Sequence, residues 1–115
     1  MKSLKTLNLK DNEVQAITEL KKRILQLYPD AAIVLFGSKA RGDFNKDSDI
    51  DLLILLDAAV NSKVESNIIS NALSNVYLKY PDNVFNILIK NENEWNHYKG
   101  NPFLKENINK EGIYI

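Results

Sequence analysis

The 115-residue chain has no cysteine, one methionine, one tryptophan, one histidine, four glycines and three prolines. Without cysteine there can be no disulfide framework, thiolate zinc site or cysteine nucleophile. One histidine cannot form a histidine-rich metal cluster. His97 lies in Trp95-Asn96-His97-Tyr98, where a packing or surface role is expected. Charge of one sign is lacking too, since fifteen Lys plus Arg balance fifteen Asp plus Glu. Bulk attraction to a nucleic-acid template or an anionic membrane is thereby disfavoured, and any bound nucleotide needs a local site. The longest apolar stretch, Leu52 to Leu56 with Ala58 to Val60 beyond Asp57, is far too short to span a bilayer. The opening Met1-Lys2-Ser3-Leu4-Lys5 lacks the apolar core of a signal peptide, so a cytoplasmic location is expected.

What is present is 44% hydrophobic and 26% charged residues, the balance of a globular domain. No repeat, low-complexity stretch or linker divides the chain, so residues 1–115 are expected to form a single domain. Val14, Ile17, Leu20, Ile24 and Leu27 recur at steps of three and four and predict an amphipathic helix, capped by Asp11 or Asn12 and closed by Pro29. Ala31 to Phe36 predicts a short strand, and Asp49 to Leu56 a second, buried on both faces along its apolar part. A helix is expected from about Asn61 to Tyr80, with Val64, Ile68, Ile69, Ala72, Leu73, Val76 and Tyr77 on one side. Asn83 to Lys90 predicts a third strand, with Val84, Asn86 and Leu88 on one face and Phe85, Ile87 and Ile89 on the other. In the helical tail, about 91–115, Asn101-Pro102 suits a cap and first turn, Gly112 a stop, and Ile113-Tyr114-Ile115 an edge strand. Trp95 and Tyr98 are expected to cover the sheet. The expected fold is α/β (α+β): a small mixed β-sheet packed with helices.

Chemistry concentrates between Gly37 and Asp51. Gly37-Ser38 follows a strand directly, and a glycine there lets backbone amides approach an anion without a Cβ in the way. Arg41 lies three residues on, so one turn of helix would bring its five-donor fork to the side of Ser38. Asp49 and Asp51, two apart at a strand start, share a face, and a hard divalent cation is the simplest partner for such a pair. Lys39 and Lys46 add positive charge to the turn, whereas Asp43 and Asp47 suit turn formation. Each feature alone has an ordinary structural explanation: a common turn, a solvated arginine, a strand-start carboxylate pair. Together, at fixed spacing, they should arise by chance in on the order of one chain in a thousand of this length.

Gly37-Ser38-Lys39-Ala40-Arg41-Gly42-Asp43 followed by Ser48-Asp49-Ile50-Asp51-Leu52 resembles the signature of the polymerase-β-like nucleotidyltransferase superfamily, and most of all its minimal nucleotidyltransferases. The resemblance implies that Gly37 and Ser38 bind a triphosphate with help from Arg41. It further implies that Asp49 and Asp51 hold Mg2+ ions, and that a nucleoside monophosphate, AMP from ATP, passes to an acceptor with release of pyrophosphate. Pairing with a helical HEPN-type protein, as in toxin–antitoxin systems, is implied by the same likeness, and with 115 residues leaving little chain for an acceptor-recognising domain, substrate choice is expected to come from a partner or from dimerisation. One position departs from the pattern. Asn86 stands where the superfamily carries a third carboxylate, and an amide brings neither charge nor basicity. Asp82 is on the same strand parity but about 13 Å back along an extended chain. Two functional readings follow, beside that of an ordinary buried polar residue bonded to backbone: an enzyme working with two carboxylates or with one taken from a partner, or a weak or inactive nucleotide- and partner-binding module.

Overall fold

The computed structural model describes residues 4, 7–43 and 48–115. Lys46 and Asp47 therefore lie outside the described residues. The elements run α1 (Asp11–Leu27), β1 (Ala32–Phe36), α2 (Gly37–Arg41), β2 (Ile50–Leu56), α3 (Ser62–Ile68), a π-helical turn (Ile69–Leu73), α4 (Ser74–Lys79), β3 (Phe85–Asn91), α5 (Glu92–Asn96), α6 (Pro102–Glu111) and β4 (Ile113–Tyr114). The four strands lie in the order β3-β2-β1-β4. β2 runs antiparallel to β1 and parallel to β3, and β4 closes antiparallel on β1, so the sheet is mixed as expected.

Alternation along the strands sorts side chains onto two faces. Ile33, Leu35, Ile50, Leu52, Ile54, Leu56, Phe85 and Ile89 pack with Ala16, Ile17, Leu20 and Ile24 of α1 and with Ile68, Ala72 and Val76. Val34, Leu53 and Leu55 face the other way, against Trp95 of α5 and Ile108 of α6. The tryptophan lies 5.0 Å, centroid to centroid, from the Tyr98 ring. β2 is thus covered on both faces, which is why its apolar run is continuous. No described helix is long and apolar enough to cross a membrane.

Three local expectations change. The N-cap of α1 is Lys10, whose backbone N–H donates to Glu13 Oε1 at 3.0 Å. Asn12 instead accepts from Asn83 Nδ2 at 2.6 Å, tying α1 to the turn before β3. The single helix expected from 61 to 80 contains a wide π turn, and Ile69 is 52% exposed while Ile68, Ala72 and Val76 are buried. Spacing by four holds those three on one line because a wider turn slows the rotation of the buried face. Lys39, expected to add positive charge to the turn, is buried, with Nζ 2.6 Å from Glu13 Oε2.

The tail follows its sequence signals. Asn101 Oδ1 accepts from the Phe103 backbone N–H at 3.0 Å, Pro102 opens α6, and Gly112 ends it by donating its N–H to Ile108 O at 2.7 Å. His97 is exposed, with Nδ1 2.9 Å from Asn93 O.

Candidate active site

The site forms where the cover on the second face of the sheet ends. Along β2 the residues on that face are Leu55 and Leu53, and then Asp51 at the strand's beginning. Asp49 precedes the strand by one residue with the same parity. The parallel register of β2 and β3 places Asp51 beside Asn86. The Asn86 side chain reaches both acids: Nδ2 donates to Asp49 Oδ2 at 3.0 Å and to Asp51 Oδ1 at 3.1 Å. Alternation thus makes Asp49 and Asp51 neighbours, and strand pairing adds Asn86 between them.

Register also explains Gly37. Phe36 pairs with Asp51 across the antiparallel β1–β2 ladder, so the residue after Phe36 passes over the Asp51 carboxylate. Gly37 has φ +74°, and a Cβ built there would collide with Asp51 Oδ2. Both the left-handed backbone and the close approach demand glycine. Ser38 follows in the first turn of α2, where its backbone carbonyl accepts the Gly42 N–H at 2.8 Å. The buried Lys39–Glu13 ion pair anchors this short helix to α1 from below.

Arg41 is placed differently from Asp49 and Asp51. Its Nε donates to Asp43 at 3.1 and 3.3 Å, and its Nη1 donates to Glu111 of α6 at 3.0 and 3.2 Å. Hydrogen bonds to Asp43 first and to Glu111 second hold the guanidinium pKa above its ordinary value. Asp43, expected to shape the turn, is a partner of this arginine.

Two carboxylate oxygens converging on one electropositive amide nitrogen make a donor set that suits a hard cation. The two carboxylates fit such a cation, and Asn86 with its amide turned would add a neutral carbonyl oxygen beside them. Among the described residues no group of three or more His, Cys, Asp or Glu is gathered in a metal-binding cluster. The shortfall is the one that Asn86 creates. A cavity of about 560 Å³ opens beside Asp49, bordered by Lys10, Ser48, Asp82 and Asn83. Asp82 borders this cleft and is absent from the bonds that join Asp49, Asp51 and Asn86.

Residues missed by sequence reasoning are Glu13 and Glu111. Glu13 had a signal: it is a charged residue on the buried stripe of α1, flanked by Ala16 and Ile17. Glu111 had none, because its contact with Arg41 spans 70 residues of chain.

Comparison with known proteins gives concordant results. Residues 17–115 match the family model described as the nucleotidyltransferase domain. A candidate protein adenylyltransferase of Methanocaldococcus jannaschii is 34% identical over 103 residues, covering 88% of this chain and 95% of that protein. A second candidate protein adenylyltransferase of the same organism is 41% identical over 69 residues, 58% of this chain and 69% of that protein. Among solved structures, a toxin–antitoxin complex with AMP-PNP aligns with a TM-score of 0.56 at 18% identity, over 90% of this chain and 71% of that one. A mutant of the toxin–antitoxin pair MntA-HpeT aligns at 0.55 and 17% identity, over 92% of this chain and 72% of that one. At such identities the likeness is one of fold.

Proposed function

The chain belongs to the nucleotidyltransferase domain family, and from that premise we propose that it transfers AMP from ATP to a hydroxyl group on a partner protein. The observation that carries this reading is the convergence of Asp49 and Asp51 on one point beneath the positive-φ Gly37. The protein-adenylylating role assigned to its relatives supports a protein acceptor. The toxin–antitoxin complexes that share the fold are in keeping with a protein partner, and a helical, HEPN-type one is what the likeness of the Gly37–Leu52 signature to minimal nucleotidyltransferases implies.

In this reading Asp49 and Asp51 hold Mg2+, which supplies charge neutralisation at the α-phosphate and the leaving pyrophosphate. Gly37 brings the backbone close to the triphosphate, Ser38 offers its amide and hydroxyl, and Arg41 offers its guanidinium. The acceptor oxygen forms a bond to the α-phosphorus, the bond to the β-phosphate bridging oxygen breaks, and pyrophosphate leaves. Asn86 cannot take up the acceptor proton, since an amide is not basic near neutral pH. That proton goes to water or to a base on the partner. The polar cleft beside Asp49 leaves room for the acceptor segment.

A second reading rests on the same amide. A neutral residue that satisfies both carboxylates favours a module that binds nucleotide and partner with weak turnover or none. Calorimetric titration with ATP, with and without Mg2+, tests the shared part. Magnesium-dependent binding is expected in wild type and should vanish in Asp49→Asn/Asp51→Asn. Folded wild-type protein that ignores millimolar ATP would overturn both readings.

A further inference from the structure

The Arg41 guanidinium is clamped. Two carboxylates share it, each presenting both oxygens: Asp43 to Nε and Glu111 to Nη1. Asp43 is a close neighbour in sequence, but Glu111 arrives from the far end of the chain at the last turn of α6. Its arrival is fixed by strand register. β4 pairs with β1 at Leu35–Ile113 and Val34–Tyr114. Extending that antiparallel register brings position 111 across from position 37, the glycine of the turn. Gly112 makes the joint tight, because a Cβ there would collide with the Ile108 carbonyl and press to 2.7 Å from Val34 Cγ1. Glu111 is therefore held by the fold where it meets the arginine.

The clamp borders a different cavity from the one beside Asp49. A cavity of about 500 Å³ beside Arg41 is bordered by Lys110, Glu111 and Tyr114 and by none of Asp49, Asp51 and Asn86. With Lys110 on the same cavity, Asp43 and Glu111 cancel the positive charge around Arg41, so the clamped arginine offers a triphosphate little net attraction. We infer that Glu111 is a positioning residue that holds Arg41 back from the nucleotide phosphates, so that ATP must displace this carboxylate to recruit the arginine. The inference rests on the assignment of Arg41 to triphosphate binding. Its consequence is that ATP affinity depends on the seating of α6, and a partner that shifts the end of α6 raises that affinity.

The test is the Kd for Mg·ATP, measured by calorimetry at low salt in wild type, Glu111→Gln, Asp43→Asn, Arg41→Ala and Arg41→Ala/Glu111→Gln. Glutamine keeps the shape of Glu111 and removes the charge. The latch predicts binding about two- to fivefold tighter in Glu111→Gln, the range of an exposed ion pair. A similar gain is expected in Asp43→Asn, and both gains should shrink at high salt. Arg41→Ala should weaken binding, and the added Glu111→Gln should then give nothing, because Glu111 acts through Arg41. Unchanged or weaker binding in both Glu111→Gln and Asp43→Asn, with thermal unfolding like wild type, overturns the latch while leaving the role of Arg41 intact. An equal gain in the Arg41→Ala background also overturns it, by showing a general charge effect. If Arg41→Ala binds as wild type does, the assignment of Arg41 itself fails and the latch with it.

Discussion

Replacing Asn86 by aspartate sets the arithmetic of the site against experiment. The amide nitrogen stands 3.0 Å from Asp49 Oδ2 and 3.1 Å from Asp51 Oδ1. An aspartate in the same rotamer exchanges two attractive N–H···O contacts for two repulsive ones. At about 3 Å, like charges repel by about 1.4 kcal/mol in water and about 5.5 at an effective dielectric of 20. Asn86 is exposed and the two acids are half-buried, so the lower figure applies to each contact. Rotation or proton uptake relieves part of the strain, leaving a destabilisation of about 1–3 kcal/mol without metal. For a chain of this size that is a fall in Tm of about 4–12 °C. Mg2+ should reverse the fall, because three carboxylates bind a divalent cation better than two and a ligand specific to the folded state raises its stability. The assay is thermal unfolding of wild type and Asn86→Asp in EDTA and in Mg2+, with AMP transfer to the partner measured alongside. A large gain in transfer identifies Asn86 as the cause of weak turnover. An Asn86→Asp protein that melts like wild type in EDTA and gains no extra Mg2+ response would refute the placement of residue 86 between the acids.

Two further outcomes follow from buried and half-buried charge. Lys39→Met strands the Glu13 carboxylate in the core beneath α2 and should cost about 3 kcal/mol in urea unfolding, while adding Glu13→Gln should recover much of that loss. A double variant no more stable than the single one would show that the pairing contributes little. Glu19 titrates below its ordinary value of 4.5: partial burial works to raise it, but Lys79 first, then Arg23 and Lys22, outweigh that. A carboxylate with a lowered folded-state pKa adds stability above its unfolded pKa, and that stability is lost as pH falls through the folded value. Wild type should therefore be more stable than Glu19→Gln at neutral pH, and the gap should close in denaturant titrations below pH 4.5. A gap that persists at the acid end would assign it to packing.

Most of the fold was legible because its signals are local. The run from Leu52 to Leu56 has no polar interruption since both sheet faces are covered, and α1 shows its buried stripe because only one side of it packs. Asn101-Pro102 and Gly112 act within a few residues of themselves, so cap and stop were readable. The features that escaped depend on distant partners. Lys39 is buried because Glu13 lies on another element, and only the pairing makes that burial tolerable. Helical spacing places the start of the Arg41 side chain one turn from Ser38, but spacing does not show which partners its end meets. Its end is settled by Glu111, which meets it through the β1–β4 register. The π turn escaped because Ile68 and Ile69 are equally apolar, and the sequence does not mark which of the two faces out.

The pattern that writes the core also writes the site. On one face of β2 the residues from Leu56 back to Ile50 are apolar to the end, because α1 and the α3–α4 segment cover that whole length. On the other face the change from Leu53 to Asp51 comes where the cover from Trp95 and Ile108 gives out. Carboxylates are tolerated there because their outer oxygens reach solvent, and they are neighbours because strand alternation leaves them no other direction. Residue 86 is set beside Asp51 by the same parallel register that packs Phe85 and Ile89 into the core. Moving it out of the site would require a slip of β3, which would bury Asn86 and expose Phe85. The position is consequently fixed by folding, and only its chemistry is free. An amide leaves the cluster with the charge of Asp49 and Asp51 alone, whereas a carboxylate would add one more charge and a proton acceptor. In the proposed reaction, the balance between holding a nucleotide and turning it over would therefore depend on a residue whose location the core has already decided.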